Sequence, residues 1–283
     1  MPLVTTTGML KNAQENGYAV AAFNIENMEM AQAVIEAAEE CAAPVILQTT
    51  PSTLRYASPA LYKAIIETLA KEAKTPIAIH LDHGDSIEMA NEALHAGYTS
   101  IMIDGSHGSL EENITLTSAV VAAAKLNSIP VEAELGKVGG KEDDLEGGEG
   151  AYTDPDTAKE FVEKTGINSL AVAIGTAHGV YASTPKLDIV RLKDIRRLVD
   201  IPLVLHGASG LLDEQVIDCI REGINKVNFA TELRAAYSDG IKSVIKKSPD
   251  VYDPKKYGTV GREHVKQLCI NKIMLCGCHR RMF

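Results

Sequence analysis

Short apolar runs alternate with segments of helical periodicity along nearly the whole chain, and this alternation constrains the fold more than any other feature. The runs are rich in Val and Ile and are continuous, as is typical of parallel strands buried on both faces. They lie at 19–23, 45–48, 77–81, 100–103, 131–135, 170–174, 203–205 and 226–229. Between them, apolar residues recur at helical spacing, as at Met28, Ala31, Val34, Ile35 and Ala38.

Eight strand–helix units predict an α/β fold, the (β/α)₈ TIM barrel at its usual length. A doubly wound open sheet is the alternative. No Pro- or Ser-rich linker interrupts the 283 residues, so we expect one domain over 1–283, with a C-terminal tail over about 250–283. The loop at about 136–155 is long, glycine-rich and acidic, and a loop of that length in a compact barrel is usually an active-site lid.

Charge and hydropathy exclude two classes of partner. Lys and Arg number 28 against 38 Asp and Glu, and at a net charge of −10 no basic stretch is long enough for a nucleic-acid footprint. No apolar run approaches the roughly 18 residues that cross a membrane, and the polar N-terminus lacks the apolar stretch of a secretory signal. We therefore expect a cytoplasmic protein that binds neither nucleic acid nor membrane.

Three histidines, His83, His178 and His206, each follow a different predicted strand. The carboxyl ends of barrel strands meet at one rim, where such barrels carry their chemistry, so we expect the three imidazoles to converge. Three imidazoles with a carboxylate nearby are the pattern of a catalytic zinc site, whereas a hydrogen-bonded structural role is the alternative for any one of them. His80 lies inside its strand and is expected to point the other way.

Two loops have the composition of a phosphate site. Residues 207–210 follow the seventh predicted strand and residues 228–231 close the eighth. Barrels frequently bind phosphate at these two loops, through backbone N–H groups and a helix N-terminus. The alternative is a pair of tight turns, with Thr231 as a helix N-cap.

A Schiff-base mechanism would need a lysine inside the barrel. Lys226 is expected at the wrong end of the eighth strand, and Lys137 lies in the long loop. We therefore expect a metal ion, and not an imine, to be the electrophile.

The chain resembles the class II, metal-dependent ketose-bisphosphate aldolases over about residues 1–265. Seven ordered motifs carry the resemblance: AFN at 22–24, HLDHG at 80–84, EAELG at 132–136, GGKEDD at 139–144, AIGTAHG at 173–179, LHGASG at 205–210 and NFATE at 228–232. The sequences of segments 175–183 and 203–210 are most similar to the tagatose-bisphosphate aldolase branch. Ala230 also favours this branch, because fructose-specific relatives often have Asp at that position. Gly84 departs from that branch, which usually has a second His there.

The resemblance implies a zinc site and two proton-transfer groups. His83, His178 and His206 would hold Zn²⁺, with Glu134 and Asp104 as outer ligands when the metal shifts. Asp82 would exchange the proton of the C4 oxygen. Glu142, in the long loop, would exchange the proton on the dihydroxyacetone-phosphate carbon.

The resemblance also implies the substrate site. The phosphate of the ketone would be held by Gly179, Gly207, Ser209, Asn228 and Thr231, and a monovalent cation, Na⁺ or K⁺, would lie near Gly179 and Ser209. The neighbours within the two loops, Ala208, Phe229 and Ala230, complete the expected substrate-binding set. Asn24, Ser52 and Arg55 are candidates for the aldehyde half.

The activity that the resemblance implies is reversible cleavage of a ketose 1,6-bisphosphate, with tagatose 1,6-bisphosphate favoured, to dihydroxyacetone phosphate and glyceraldehyde 3-phosphate. Alternatives are fructose bisphosphate or another 1-phosphate ketose as substrate, and a non-catalytic sugar-phosphate-binding subunit. A zinc hydrolase on the same barrel would usually have a His-x-His pair on the first strand, which here ends in AFN. A homodimer or homotetramer is expected.

Overall fold

The structure, a computed structural model, describes residues 3–142, 145–147, 151–181 and 183–282, with the backbone alone within 141–147. Its strands are β1 (Val20–Asn24), β2 (Val45–Thr49), β3 (Ile77–Gly84), β4 (Ser100–Ile103), β5 (Val131–Leu135), β6 (Gly139–Glu142), β7 (Leu145–Gly147), β8 (Ser169–Val172), β9 (Ala177–His178), β10 (Leu203–Leu205) and β11 (Ile224–Phe229). Its helices are α1 (Thr6–Asn16), α2 (Met28–Cys41), α3 (Pro51–Tyr56), α4 (Pro59–Glu72), α5 (Ile87–Ala96), α6 (Leu110–Lys125), α7 (Pro155–Thr165), α8 (Ile189–Leu198), α9 (Asp213–Arg221), α10 (Thr231–Lys247) and α11 (Pro254–Leu275).

Eight parallel strands close into a barrel in the order β1-β11-β10-β8-β5-β4-β3-β2. This confirms the predicted (β/α)₈ barrel and excludes the doubly wound open sheet. The barrel closes between the first and last strands, where Ala22 pairs with Asn228 and Phe23 with Phe229. Observed strand limits differ from the expected ones by a few residues. The sixth strand of the barrel, β8, was expected to reach residue 174 and ends at Val172. The backbone of Ala173 forms hydrogen bonds with Thr153 instead of continuing the β-ladder.

Local sequence explains where the helices begin and end. Asn27 caps α2 by accepting a hydrogen bond from the Met30 amide, and Ser109 with Glu112 forms a capping box at α6. At the other end, Gly97 and Gly166 end α5 and α7 in the left-handed conformation. These helices therefore begin and end at defined residues.

Helix α1 covers the amino ends of the barrel strands. The Val4 amide just before it donates to the carbonyl of Ile77, the first residue of β3. The Thr6 hydroxyl donates to Ser100, the first residue of β4, at 3.0 Å. The opposite rim carries the carboxyl ends of the same strands.

The segment at 136–155, expected to be one long loop, contains two short strands in the residues that the structure describes. Strand β6 pairs with β7 in an antiparallel hairpin and with β9 in parallel. A bridge between Lys137 and Ala151 closes the base of the segment. Residues 143, 144 and 148–150 lie outside the described residues, and the role of this segment as a lid stays a prediction.

The residues expected as a C-terminal tail are mostly helical. Helix α11 packs along α10 and α2 on the outside of the barrel. The chain then returns to the barrel, where the amide of Ala19 donates to the Cys276 carbonyl. Among the described residues, no helix combines the length and the apolar character needed to cross a membrane.

Candidate active site

The three predicted histidines meet at the carboxyl rim of the barrel. His83 comes from β3, His178 from β9 and His206 directly follows β10, and one ring nitrogen of each lies within 4.8 Å of the others. His206 Nδ1 is 2.8 Å from His83 Nε2. Two nitrogens bound to one tetrahedral zinc lie about 3.3 Å apart, so the cluster has the size of a zinc site.

A bulge in β3 accounts for the position of His83. Successive residues of a strand normally point to opposite faces. Here the pairing of β3 with β4 shifts between Leu81 and Gly84, and His83 has φ +49°. The bulge turns Asp82 and His83 to the same site, as bulges commonly do beside active sites. Gly84 allows it, because a Cβ there would lie 2.6 Å from the Met102 carbonyl oxygen.

Two carboxylates border the cluster. Asp104 Oδ2 lies 2.9 Å from His83 Nδ1, and the Ser106 amide donates to its other oxygen. Burial would raise the pKa of Asp104, but the bonds from His83 and Ser106 hold it well below its usual range. Glu134 accepts from the Val138 amide with one oxygen, while its Oε2 accepts no hydrogen bond and lies 3.6 Å from His206 Nδ1. Burial, with a contribution from Asp104, raises the pKa of Glu134 to about 7.

The donor set fits a zinc ion. Three imidazole nitrogens converge, and a carboxylate oxygen without a hydrogen-bond donor lies 3.6 Å from one of them, which is the ligand chemistry that Zn²⁺ prefers. A cation would also offset the cost of burying Glu134 as a carboxylate. His83, Asp104 and Glu134 form a second group whose ligand atoms lie within 4.8 Å of one another.

Two amides hold Asp82 beside the cluster. Asn24 Nδ2 donates to Asp82 Oδ2 at 2.8 Å, and Asn228 Nδ2 donates to Oδ1 at 3.1 Å. The orientation of Asn24 is set in turn by Gln48, whose Nε2 donates to Asn24 Oδ1 at 2.8 Å. Both oxygens of the carboxylate are thereby fixed in direction. Gln48 was not predicted as a site residue, although a Gln near the carboxyl end of the apolar strand β2 is an indication.

One expectation about the barrel interior, the orientation of His80, is wrong. His80 points inward, where its Nδ1 lies 2.8 Å from Ser100 Oγ, because it lies two residues before Asp82 on the same face of β3. Lys226 lies in the amino half of β11, opposite Val20, as expected. Its side chain is inside the barrel, where Nζ donates to both oxygens of Glu132 at 3.0 and 2.8 Å. Burial raises the pKa of Glu132, but Lys226 and His206 outweigh it and hold the pKa well below its usual range. The conclusion against an imine remains, since Lys226 is fully buried in this ion pair.

A cavity adjoins the histidine cluster, and all five predicted phosphate-binding residues line it. It is lined by Asn24, His178, Gly179, Gly207, Ser209, Asn228, Ala230, Thr231 and Arg234. Arg234 was not identified from the sequence. The indication in the sequence is a basic residue about one helical turn after Thr231. In the structure, Arg234 Nε donates to Glu26 Oε1 at 2.7 Å.

Other predicted residues do not line this cavity. Ser52 is half-buried in α3, and its hydroxyl lies 3.3 Å from that of Thr50. Ala208 is fully buried, and Phe229 stacks on Phe23 in the core at a centroid distance of 5.8 Å. Arg55 pairs with Asp85 at the surface, at 3.2 Å.

The predicted proton-transfer residue Glu142 has only its backbone described. It closes β6, opposite Leu145 of β7, and its side chain lies outside the described part of the structure. Its role stays a prediction.

The two predicted phosphate loops pack closely on their neighbours. Gly207 has φ +65°, and a Cβ there would lie 2.5 Å from the Ala177 carbonyl oxygen, so only glycine fits. The Ala230 amide donates to Ser209 Oγ at 3.3 Å, which joins the loops. Thr231 is the first residue of α10 and not its N-cap. The N-cap is Ala230, which supplies no capping side chain.

Comparison with known proteins adds to this geometry. The family model of class II fructose-bisphosphate aldolase matches residues 4–281. The YdjI aldolase from Escherichia coli K12 is similar at 37% sequence identity and a TM-score of 0.88, over 99% of this chain and 100% of that chain. A candidate fructose-1,6-bisphosphate aldolase from Coccidioides immitis is 31% identical with a TM-score of 0.88, over 97% and 96%. The fructose-bisphosphate aldolase of Campylobacter jejuni, 23% identical over 98% and 96% with a TM-score of 0.81, is similar in fold.

We expect His83→Ala and His206→Ala each to lose bound zinc. Each change removes one of three nitrogen ligands, and the remaining site competes poorly with water for the ion. Elemental analysis of the purified variants measures the occupancy. His95→Ala is the matched control, because His95 is exposed on α5 and bonds only to the Asn91 carbonyl among its described contacts. Full zinc occupancy in both site variants would show that the ligands are assigned wrongly.

Proposed function

The chain belongs to the class II fructose-bisphosphate aldolase family, and on this premise we propose that it is a zinc-dependent aldolase with tagatose 1,6-bisphosphate as its favoured substrate. The reaction is reversible cleavage to dihydroxyacetone phosphate and glyceraldehyde 3-phosphate. One observation carries the proposal: Asp82, held by two amides, lies next to His83 in a cluster of three histidines that adjoins the polar cavity.

Asp82 is the proposed base for cleavage. It takes the proton of the C4 hydroxyl as the C3–C4 bond breaks, and the electron pair of that bond remains on C3 of the ketone fragment. The bonds from Asn24 and Asn228 aim the carboxylate before substrate arrives, which is the requirement for a positioned general base. Glu142 is the proposed donor of a proton to C3. In the direction of synthesis both transfers run in reverse.

Zn²⁺ is the proposed cofactor, with His83, His178 and His206 as ligands and Glu134 and Asp104 as outer ligands. The chemistry that it supplies when bound is Lewis-acid stabilisation of the negative charge on the ketone fragment. The orphaned Oε2 of Glu134 supports this assignment, since a buried carboxylate oxygen without a donor favours a nearby cation.

The cavity is the proposed site of the ketone phosphate. Backbone at Gly179 and Gly207, the side chains of Ser209 and Thr231, and the uncapped start of α10 surround it. The N-terminus of a helix attracts an anion through its free N–H groups. Arg234 adds a positive charge at the same wall. A monovalent cation, Na⁺ or K⁺, near Gly179 and Ser209 belongs to the same proposal.

Ala230 is the proposed reason that the site accepts tagatose 1,6-bisphosphate at least as well as fructose 1,6-bisphosphate. It lines the cavity between Asn228 and Thr231 and brings neither charge nor hydrogen-bonding group. A carboxylate there could accept a hydrogen bond from one C4 epimer and reject the other, whereas a small apolar residue discriminates weakly. Fructose bisphosphate and other 1-phosphate ketoses are the alternative substrates. The homodimer or homotetramer stays a prediction.

Metal removal tests the proposed activity. We expect a strong chelator to abolish cleavage of tagatose 1,6-bisphosphate and added Zn²⁺ to restore it, since no positive side chain takes the place of the ion among the described residues of the histidine cluster. A coupled assay of dihydroxyacetone phosphate measures the rate. Cleavage that persists after zinc is shown to be absent would contradict the zinc-dependent mechanism.

We expect Asp82→Ala to keep its zinc and to lose cleavage by about 10²-fold or more, as when a positioned acid–base group is removed. Zinc content and kcat are measured on the same preparation. Asp218→Ala is the matched control, because Asp218 lies on the outer helix α9 and pairs with Arg221 at the surface. A near wild-type rate in Asp82→Ala would move the role of base to another residue, with Glu134 the first to examine.

The epimer preference is tested by kcat/KM for both bisphosphates. We expect tagatose 1,6-bisphosphate to be cleaved at least as well as fructose 1,6-bisphosphate, and Ala230→Asp to shift the ratio toward fructose 1,6-bisphosphate. A wild-type preference for the fructose epimer beyond about tenfold, some 1.4 kcal/mol, would reject the tagatose assignment alone.

A further inference from the structure

The barrel interior beneath the histidine cluster holds a lysine that the proposed reaction does not use. The three protons of the Lys226 ammonium match three acceptors: Glu132 Oε1 at 3.0 Å, Glu132 Oε2 at 2.8 Å and His80 Nε2 at 3.3 Å. Lys226 and His80 are fully buried, and Glu132 is 2% exposed. Burying an ion pair of this kind is often no more stabilising than apolar residues of the same volume. A gain in stability alone therefore does not explain why Lys226 and Glu132 are buried here.

Glu132 connects this ion pair to a predicted zinc ligand. Its Oε1 lies 3.1 Å from His206 Nε2, on the side of the imidazole away from the cluster. A carboxylate oxygen only accepts, so His206 Nε2 carries the proton. In the neutral ring Nδ1 then has the free lone pair, and Nδ1 is the nitrogen that faces His83 Nε2 at 2.8 Å.

The position of Glu132 is itself fixed from several strands. Lys226 reaches it from β11, and the Ser169 hydroxyl of β8 donates to its Oε2 at 3.4 Å. Lys226 is held in turn by His80, whose Nδ1 lies 2.8 Å from Ser100 Oγ. The carboxylate therefore has little freedom to turn away from His206.

We propose that Glu132, held by Lys226, is a positioning residue that fixes the tautomer and the ring orientation of His206, so that Nδ1 is set to bind metal before the metal arrives. Outer carboxylates that orient a ligating histidine commonly contribute 10–100-fold to metal affinity. The inference rests on the zinc site of the proposed function, and it assigns to the buried lysine the role of holding a ligand's partner in place.

The change Glu132→Gln tests the tautomer directly. The Lys226 ammonium attracts the amide oxygen of the new Gln, which leaves the amide NH₂ facing His206 Nε2. That nitrogen must then accept, the proton moves to Nδ1, and the ligand lone pair is lost. We expect zinc affinity, measured by competition with a chromophoric chelator, to fall at least about tenfold.

The double change Glu132→Gln with Lys226→Met separates this effect from loss of the ion pair. Without the ammonium the amide is free to turn its oxygen to His206, so we expect the double variant to recover most of the affinity lost in the single variant. Glu40→Gln is the matched control for removing a carboxylate from a lysine, because Glu40 pairs with Lys266 at 2.9 Å on the outside of the barrel. Its zinc affinity should equal that of the wild type.

Two results overturn the proposal: wild-type affinity in Glu132→Gln, or a double variant as weak as the single one. A measurement on the unmutated protein keeps the test valid if a variant fails to fold. In histidine-labelled metal-free protein, ¹H–¹⁵N NMR is expected to show His206 protonated at Nε2, and protonation at Nδ1 would also overturn the proposal. If the wild type binds zinc but does not cleave bisphosphates, the proposed function fails while this inference stands.

Discussion

Closure of the barrel between β1 and β11 is the interaction on which the candidate site depends. It pairs Ala22 with Asn228, residues more than 200 positions apart in the chain. The amides of Asn24 and Asn228 then reach the two oxygens of Asp82, which comes from β3 on the other side of β1. An open sheet would leave the first and last strands at separate edges. The geometry of Asp82 is thus a consequence of the closed topology and not of any local segment.

The sequence predicted the barrel and much of its rim because both follow from position along a strand. Continuous apolar runs indicate strands buried on both faces, and a polar residue directly after such a run lies at the rim. Asp82, His178 and His206 follow from their positions near strand ends, as do the cavity residues Ser209 and Asn228. The contact partners of these residues do not follow from position along a strand. Gln48 and Arg234 act through contacts across strands, which no local pattern encodes.

The error about His80 has a physical origin in the geometry of β3. Which face of a strand a residue occupies follows the alternation of two, and a bulge interrupts that alternation. His83 reaches the cluster only through the bulge after Leu81, so a strand counted without the bulge puts His80 and His83 on opposite faces. With the bulge, both point inward. A residue other than glycine with a left-handed backbone conformation, such as His83, is not recognisable from the sequence.

The interior of this barrel is polar where many barrels have layers of branched apolar side chains. Stability comes instead from the shell between strands and helices, where Phe161, Ile66 and Val34 are fully buried. The space along the barrel axis is therefore free for charged side chains that contact one another. Imine chemistry needs an unprotonated amine near the rim, and a buried lysine without a hydrogen-bond acceptor would tend to supply one. Here the Lys226 ammonium has Glu132 and His80 as acceptors, and Glu132 extends the contact to His206. One buried ion pair therefore removes the lysine from covalent chemistry and, under the proposed function, prepares a histidine for the metal.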